Sequence, residues 1–200
     1  MGEGGVILLF MVEALEAGYL LDRRWHWLRG EMKRSKEPDL AALVRILSVR
    51  GVPYAVSGGV ALQIHQREPR TTLDIGIALA DRGRLPRESL LAAGFSETGR
   101  HEYTDNWIGP EGTPIQFTDD PALQGPISRA VEVQVGGAGL RVLRVGDLLH
   151  EKLRSGRDPA RRRSKRLQDL ADVQSLLEQD PSLANDLTPE ECALLDALPH

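Results

Sequence analysis

A chain of 200 residues with 41% hydrophobic content suffices for one compact α/β domain with peripheral helices, and leaves little room for a second full domain. Its formal net charge of −4 excludes a surface shaped throughout for nucleic acid and restricts any such contact to a local basic patch. The single cysteine, Cys192, excludes an intramolecular disulfide and belongs to no paired metal-ligand motif, which fits a reducing compartment.

Residues 6–12 (VILLFMV) are apolar but far short of the roughly 20 needed to cross a bilayer. Glu3 precedes them, with no Lys or Arg, and no small-residue cleavage site follows, so a signal peptide is not expected and a cytoplasmic chain is. Residues 1–37, with Trp25, Trp27 and basic clusters, form an N-terminal extension of unassigned role, within which Met11 or Met32 serves equally as a start. Leu40, Leu43, Val44 and Leu47 follow helical spacing, and Gly51 with Pro53 ends that helix. Tyr54–Ser57 reads as a strand running into Gly58-Gly59, after which residues 60–65 resume helical character. Residues 73–79 form a second strand, with Ile75, Ile77 and Leu79 on one face and Asp74, Gly76 and Ala78 on the other. A third strand is expected at Pro114–Thr118. Val131, Val133 and Val135 alternate before a Gly136-Gly137 turn, and residues 140–145 pair back as a hairpin. Helices follow over residues 147–155 and 164–178, separated by the break at residues 156–159. Thr188, Pro189 and Glu191 supply the N-cap, N1 proline and capping-box partner of a last short helix.

The chemistry concentrates in residues 51–79. Glycines without side chains let backbone N–H groups approach phosphate oxygens, and the start of the following helix adds a favourable dipole. A carboxylate on the neighbouring strand can hold a divalent cation. Taken alone, Gly-Gly before a helix is more readily a tight turn than a phosphate site, and a strand-edge Asp is more readily solvated than catalytic. Together, Gly58, Gly59, Ala61, His65, Arg70, Thr72 and Asp74 stand in the order of a known motif, and residues 147–153 (DLLHEKL) and 165–177 (KRLQDLADVQSLL) continue it. In these features residues 38–180 resemble the nucleotidyltransferase superfamily that includes DNA polymerase beta, specifically its AbiEii-type toxin-like branch.

The resemblance implies an α/β (α+β) fold: a nucleotidyltransferase-like mixed sheet with flanking helices and a C-terminal helical portion; beyond it, residues 181–200 are expected as a helical tail. It implies transfer of a nucleotide from an NTP to an RNA or protein hydroxyl with Mg²⁺ or Mn²⁺, and a toxin–antitoxin role with an antitoxin partner. Gly58, Gly59, Arg70 and Thr72 would bind the nucleotide, Asp74 would hold the metal, Lys152 would neutralise phosphate, and Asp169 would act as base or orienter. Two positions depart from the family pattern. Gly76 stands where the second Asp of an Asp-x-Asp pair is expected, and Gln116 where a third carboxylate is expected. A fold that binds nucleotide or a partner without turnover is the competing reading, and a plain interaction module is a third.

Other residues carry two readings each. Lys152 lies beside the apolar stripe of its helix, either to reach a phosphate or to snorkel. Asp169 and Asp172 face a cleft as a pair or ion-pair with Lys165 and Arg166 on a solvated face. Arg161, Arg162, Arg163, Lys165 and Arg166 cluster where a helix opens and the macrodipole disfavours cations, so an anionic partner competes with plain solvation. Trp107 is a core residue more readily than a base-stacking one, and His65 a structural residue at its helix end.

Overall fold

The computed structural model describes residues 15–24, 35–68, 71–135 and 138–198. The apolar run at residues 6–12, Trp25, Trp27, Arg70 and the Gly136-Gly137 turn lie outside them. The chain divides into two compact units, Met1–Arg144 and Val145–His200. Among the described residues, no helix is long and apolar enough to cross a membrane.

In the first unit, helix α1 (residues 15–24) precedes α2 (Lys36–Val49), β1 (Tyr54–Ser57), α3 (Gly58–His65) and β2 (Ile75–Leu79). After a 3-10 turn at Arg82–Arg84 come α4 (Arg87–Ala92), β3 (Ser96–Arg100), β4 (Thr104–Ile108) and β5 (Pro114–Thr118). A second 3-10 turn, Pro121–Leu123, leads into α5 (Gln124–Ser128), β6 (Val131–Val135) and β7 (Ala138–Val142). The strands form one mixed sheet in the order β3-β4-β5-β2-β1-β7-β6. β1 runs antiparallel to β2 and parallel to β7, and β2 runs parallel to β5.

Helix α2 starts earlier than its apolar spacing alone indicates, because Ser35 caps it by accepting the Glu37 N–H at 3.2 Å. It ends where the N–H groups of Gly51 and Val52 return to the carbonyls of Ser48 and Leu47, at 3.0 Å each. Leu40, Leu43, Val44 and Leu47 are all buried, as the spacing predicts. At the N-terminal end of the same helix, buried Asp39 accepts the N–H groups of Glu111 and Thr113 at 3.1 and 3.2 Å, which fixes the β4–β5 turn.

On β2, Ile75, Ile77 and Leu79 are buried on one face. The opposite face is split along its length. Ala78 joins Ala55, Leu123, Ile127 and Leu143 in an apolar cluster, whereas Gly76 stays only half-buried, as does Asp74, expected within the strand but lying just before it. The sheet is thus sealed at one end of this strand and open at the other.

Strands β3 and β4 are not expected from periodicity, because their polar sequences, SETGR and TDNWI, lack an apolar run. Burial of β4 rests on two residues. Trp107 packs edge-on against Phe117, with ring centroids 6.2 Å apart, confirming a core role for this tryptophan. Asp105 is buried with arginines as partners: it accepts Arg82 Nη1 at 2.8 Å and also Arg87.

The second unit contains α6 (Val145–Arg157), α7 (Arg163–Gln179), a 3-10 turn (Pro181–Asp186) and α8 (Pro189–Asp196). The capping box of α8 forms as its sequence predicts: Thr188 Oγ1 accepts the Glu191 N–H at 3.3 Å, and the Glu191 carboxylate accepts the Thr188 N–H at 2.9 Å. Nδ1 of His150, on α6, lies 2.9 Å from the same carboxylate. Although burial works against it, the Thr188 N–H and the His150 ring hold the Glu191 carboxyl below its ordinary range.

Candidate functional site

The glycine turn is built by two glycines that are needed for different reasons. Gly58 opens α3 at φ +63°, left-handed backbone, and nothing lies within 4 Å of where its Cβ would stand. Gly59 is required by contact instead: a Cβ there would lie 2.3 Å from Thr72 Oγ1 and 2.7 Å from Thr72 Cβ. Ser57, the N-cap of α3, makes no side-chain capping bond, so no side chain of that residue satisfies the first N–H groups of the helix. Wedged against Gly59, Thr72 donates its hydroxyl to Asp74 Oδ1 at 2.8 Å. Gly58, Gly59, Thr72 and Asp74 are therefore brought together at the open end of β2.

The two glycines should respond differently to an added methyl. Gly59→Ala is expected to cost about 2–3 kcal/mol, as overpacking does. Gly58→Ala is expected to cost about 1 kcal/mol of left-handed strain alone. Urea unfolding measures both, and equal losses would contradict the close approach of Thr72 to Gly59.

Beside Asp74, the register places Ser57 opposite Gly76, Gly76 opposite Gln116, and Gln116 opposite Asn106, a row across four strands. This row offers a hydroxyl, a bare backbone and two amides, all neutral. The gap at Gly76 is also filled. A Cβ there would meet Ser57 Oγ at 3.0 Å and the Ser57 carbonyl oxygen at 3.1 Å, so a carboxylate at 76 requires β1 and β2 to separate by a few tenths of an ångström. Among the described residues, no group of three His, Cys, Asp or Glu side chains is placed to hold a metal ion. A two-cation centre, which needs shared carboxylates, does not fit this row. A single cation held by Asp74 fits only where a triphosphate supplies most of its oxygens.

The second unit holds its own charged cluster. The Lys152 side chain is 7% exposed, and its Nζ donates to Asp169 Oδ1 at 2.7 Å and to Asp172 Oδ2 at 2.8 Å. Lys152 is thus neither snorkelled nor solvated. Nor do Asp169 and Asp172 pair chiefly with the neighbouring Lys165 and Arg166, the solvated-face expectation: Arg166 Nε instead donates to the Gly156 carbonyl at 3.0 Å. Arg161 Nη2 approaches Asp169 Oδ2 at 3.1 Å. Burial opposes the Lys152 charge, but Asp172 and Asp169 outweigh it and hold the ammonium above its ordinary pKa. Next to it, burial pushes the Glu151 carboxyl up, against the pull of Lys152. The basic residues Arg161, Arg162, Arg163 and Lys165 are exposed at the start of α7.

His65 Nε2 lies 2.7 Å from the Leu143 carbonyl oxygen, and burial pushes its pKa down, in keeping with a structural role at the end of α3. One residue beside the site escaped sequence reasoning. Lys36, 4% exposed, donates to the Thr72 carbonyl at 2.9 Å and to Asp22. Its only sequence signal is a cation at the first position of a helix, where the macrodipole disfavours one.

No protein-family model matches the chain, and no curated protein matches it. Solved structures do. The solution structure of the antibiotic-resistance factor ANT(2'')-Ia is 15% identical, covers 79% of this chain and 87% of that chain, and superposes with a TM-score of 0.56. The crystal structure of ANT(2'')-Ia in complex with adenylyl-2''-tobramycin is 14% identical over 78% of this chain and 95% of that chain, with a TM-score of 0.56. The lincosamide antibiotic adenylyltransferase LnuA, lincomycin-bound, is 15% identical over 72% of this chain and 98% of that chain, with a TM-score of 0.52. At these identities the likeness extends to architecture, and the mixed sheet with its flanking helices is a nucleotidyltransferase-like fold.

Proposed function

We propose that this protein binds a nucleoside triphosphate at the Gly58-Gly59 turn and transfers a nucleotide from it to a hydroxyl of an RNA or a protein. The observation that carries this reading is the Thr72 hydroxyl fixing Asp74 at 2.8 Å beside a helix start that its N-cap side chain leaves uncapped. Phosphate oxygens suit those N–H donors and the helix dipole. A Mg²⁺ or Mn²⁺ ion at Asp74 would supply charge neutralisation for the triphosphate. In the transfer, the acceptor oxygen bonds to the α-phosphorus as the bond to the bridging oxygen breaks, the acceptor hydroxyl releases its proton to water, and pyrophosphate leaves. The reading rests on the first unit. Gly58, Gly59 and Thr72 shape the phosphate cradle, and Asp74 bears its one carboxylate.

The motif resemblance supports a finer version, in which the protein is the toxin-like member of a pair and an antitoxin is its partner. The adenylyltransferase name of LnuA supports including a small-molecule hydroxyl among the acceptors tried. A second reading, binding without turnover, is favoured by the neutral Ser57, Gly76, Gln116 row and by the packing that fills the space at Gly76.

The deciding assay offers each of the four α-labelled NTPs, with Mg²⁺ or Mn²⁺, to total RNA, to total protein, and to lincomycin and tobramycin. Label transferred by the wild type and lost in Asp74→Ala is the expected result. No transfer to any acceptor would count against turnover and favour the second reading.

A further inference from the structure

We infer that Lys36 is a positioning residue for Asp74, itself held in place by Asp22 of helix α1. The inference rests on the reading that Asp74 faces a bound nucleotide.

Lys36 occupies a place where a lysine is disfavoured twice. It is the first residue of α2, where the helix dipole repels a cation, and it is buried, where an ammonium loses its hydration. Its contacts offset those costs. The ammonium donates to the Asp22 carboxylate and, at 2.9 Å, to the Thr72 carbonyl, and it lies 5.5 Å from the centre of the Tyr19 ring. A salt bridge that only stitched α1 to α2 would need Asp22 and nothing more. The contact with the Thr72 carbonyl reaches away from α1.

Residues 71–74 belong to no helix or strand, so no ladder of backbone hydrogen bonds sets their path. Lys36 grips the carbonyl of Thr72, whose hydroxyl orients Asp74 and whose side chain fills the space beside Gly59. One ammonium thereby fixes the backbone of the residue that joins the glycine turn to the carboxylate. Helix α1 also lies against α3, the helix that the glycine turn opens: a Cβ on Gly18 would lie 2.3 Å from the Gln63 amide nitrogen. The electrostatics agree. Burial lowers the Lys36 pKa, and both Asp22 and Asp74 act to raise it, which couples the Lys36 and Asp74 charges.

The test uses the full chain with MgATP as the probe, read by titration calorimetry, and thermal melting as a separate measure of folding. Asp22→Asn combined with Lys36→Met removes the ion pair without leaving a lone buried charge. Thr72→Val removes the hydroxyl, and Thr72→Ser keeps it. The double variant and Thr72→Val should each bind MgATP about tenfold more weakly, the loss expected for one hydrogen bond to a charged group, while Thr72→Ser stays near wild type. A folded double variant that binds like the wild type while Thr72→Val binds more weakly overturns the inference alone, and a Thr72→Val variant that binds like the wild type overturns the inference together with the Thr72–Asp74 contact on which the proposed function rests. A wild type that binds neither MgATP nor any of the other three NTPs with Mg²⁺ overturns the reading of the site and this inference with it.

Discussion

Lys152→Met should remove about 3–5 kcal/mol of stability, the cost of breaking a buried ion pair from one side. The Lys152 side chain and those of Asp169 and Asp172 are each 7% exposed, and the ammonium donates to both carboxylates. Methionine matches the length of the stem and packs well, so little is lost on the apolar side. What is lost is the charge that lies between two buried carboxylates, with Arg161, 44% exposed, approaching Asp169 Oδ2 at 3.1 Å. Because the Lys152 pKa is raised in the folded state, this contribution is fully present below the unfolded value of 10.5 and fades only as pH climbs through the higher folded one. The loss should therefore be as large at pH 7 as at pH 9. Lys165→Met on the exposed surface of α7 should change stability by less than about 0.5 kcal/mol. Urea unfolding followed by circular dichroism compares the two, and equal effects would contradict the buried triad.

Asp105→Asn should cost about 3 kcal/mol, enough to lower the melting temperature by roughly 10 °C. Asp105, 1% exposed, accepts Arg82 Nη1 at 2.8 Å and Arg87, with Arg100 Nε at 3.7 Å. Asparagine keeps the shape but turns an –NH₂ donor toward guanidinium donors, and it removes the counter-charge at once. The arginines cannot simply turn to water. Arg87 lies 5.7 Å from the centre of the Trp107 ring, and Arg82 is also bonded to Asp119 at 2.7 Å and to the carbonyls of His101 and Glu102. The disturbance should reach the β3–β4 edge and leave α7 unaffected, which hydrogen exchange at the two places resolves. A melting temperature within about 2 °C of wild type would show that the clamp contributes little.

These two clusters also mark where the sequence stops being readable. Helix α2, strands β1, β2 and β5 and the capping box of α8 were legible because each is set by local spacing or by a cap within three residues. Strands β3 and β4 were not, because Asp105 is buried by arginines that only the fold brings to it. The same holds at the candidate site. The order Gly58, Gly59, Thr72, Asp74 is visible in the chain, and so is the missing carboxylate at Gly76. That Gly76 and Gln116 stand opposite each other follows from a parallel pairing that periodicity does not specify. Lys152 meets Asp169 and Asp172 from 17 and 20 positions away, while Lys165 and Arg166, the nearer cations, are engaged elsewhere or exposed. Lys36 reaches Thr72 across 36 positions, which no spacing rule connects.

Gly76 matters most for what kind of protein this is. In a strand, positions 74 and 76 point the same way about 7 Å apart, so an Asp at both would let two cations share the site. Here Ser57 of β1 lies against that position, and on the proposed reading Asp74 would hold a cation alone. On that reading the glycine turn and one carboxylate would serve binding, while turnover would demand more carboxylates.

Equilibrium binding of each NTP with Mg²⁺, measured by titration calorimetry on the wild type and on Asp74→Ala, tests the central claim most directly. The account predicts binding of at least one NTP by the wild type and an affinity at least about tenfold weaker in the variant, the loss of one charged ligand. No binding of any of the four, or equal affinity in both proteins, would contradict it.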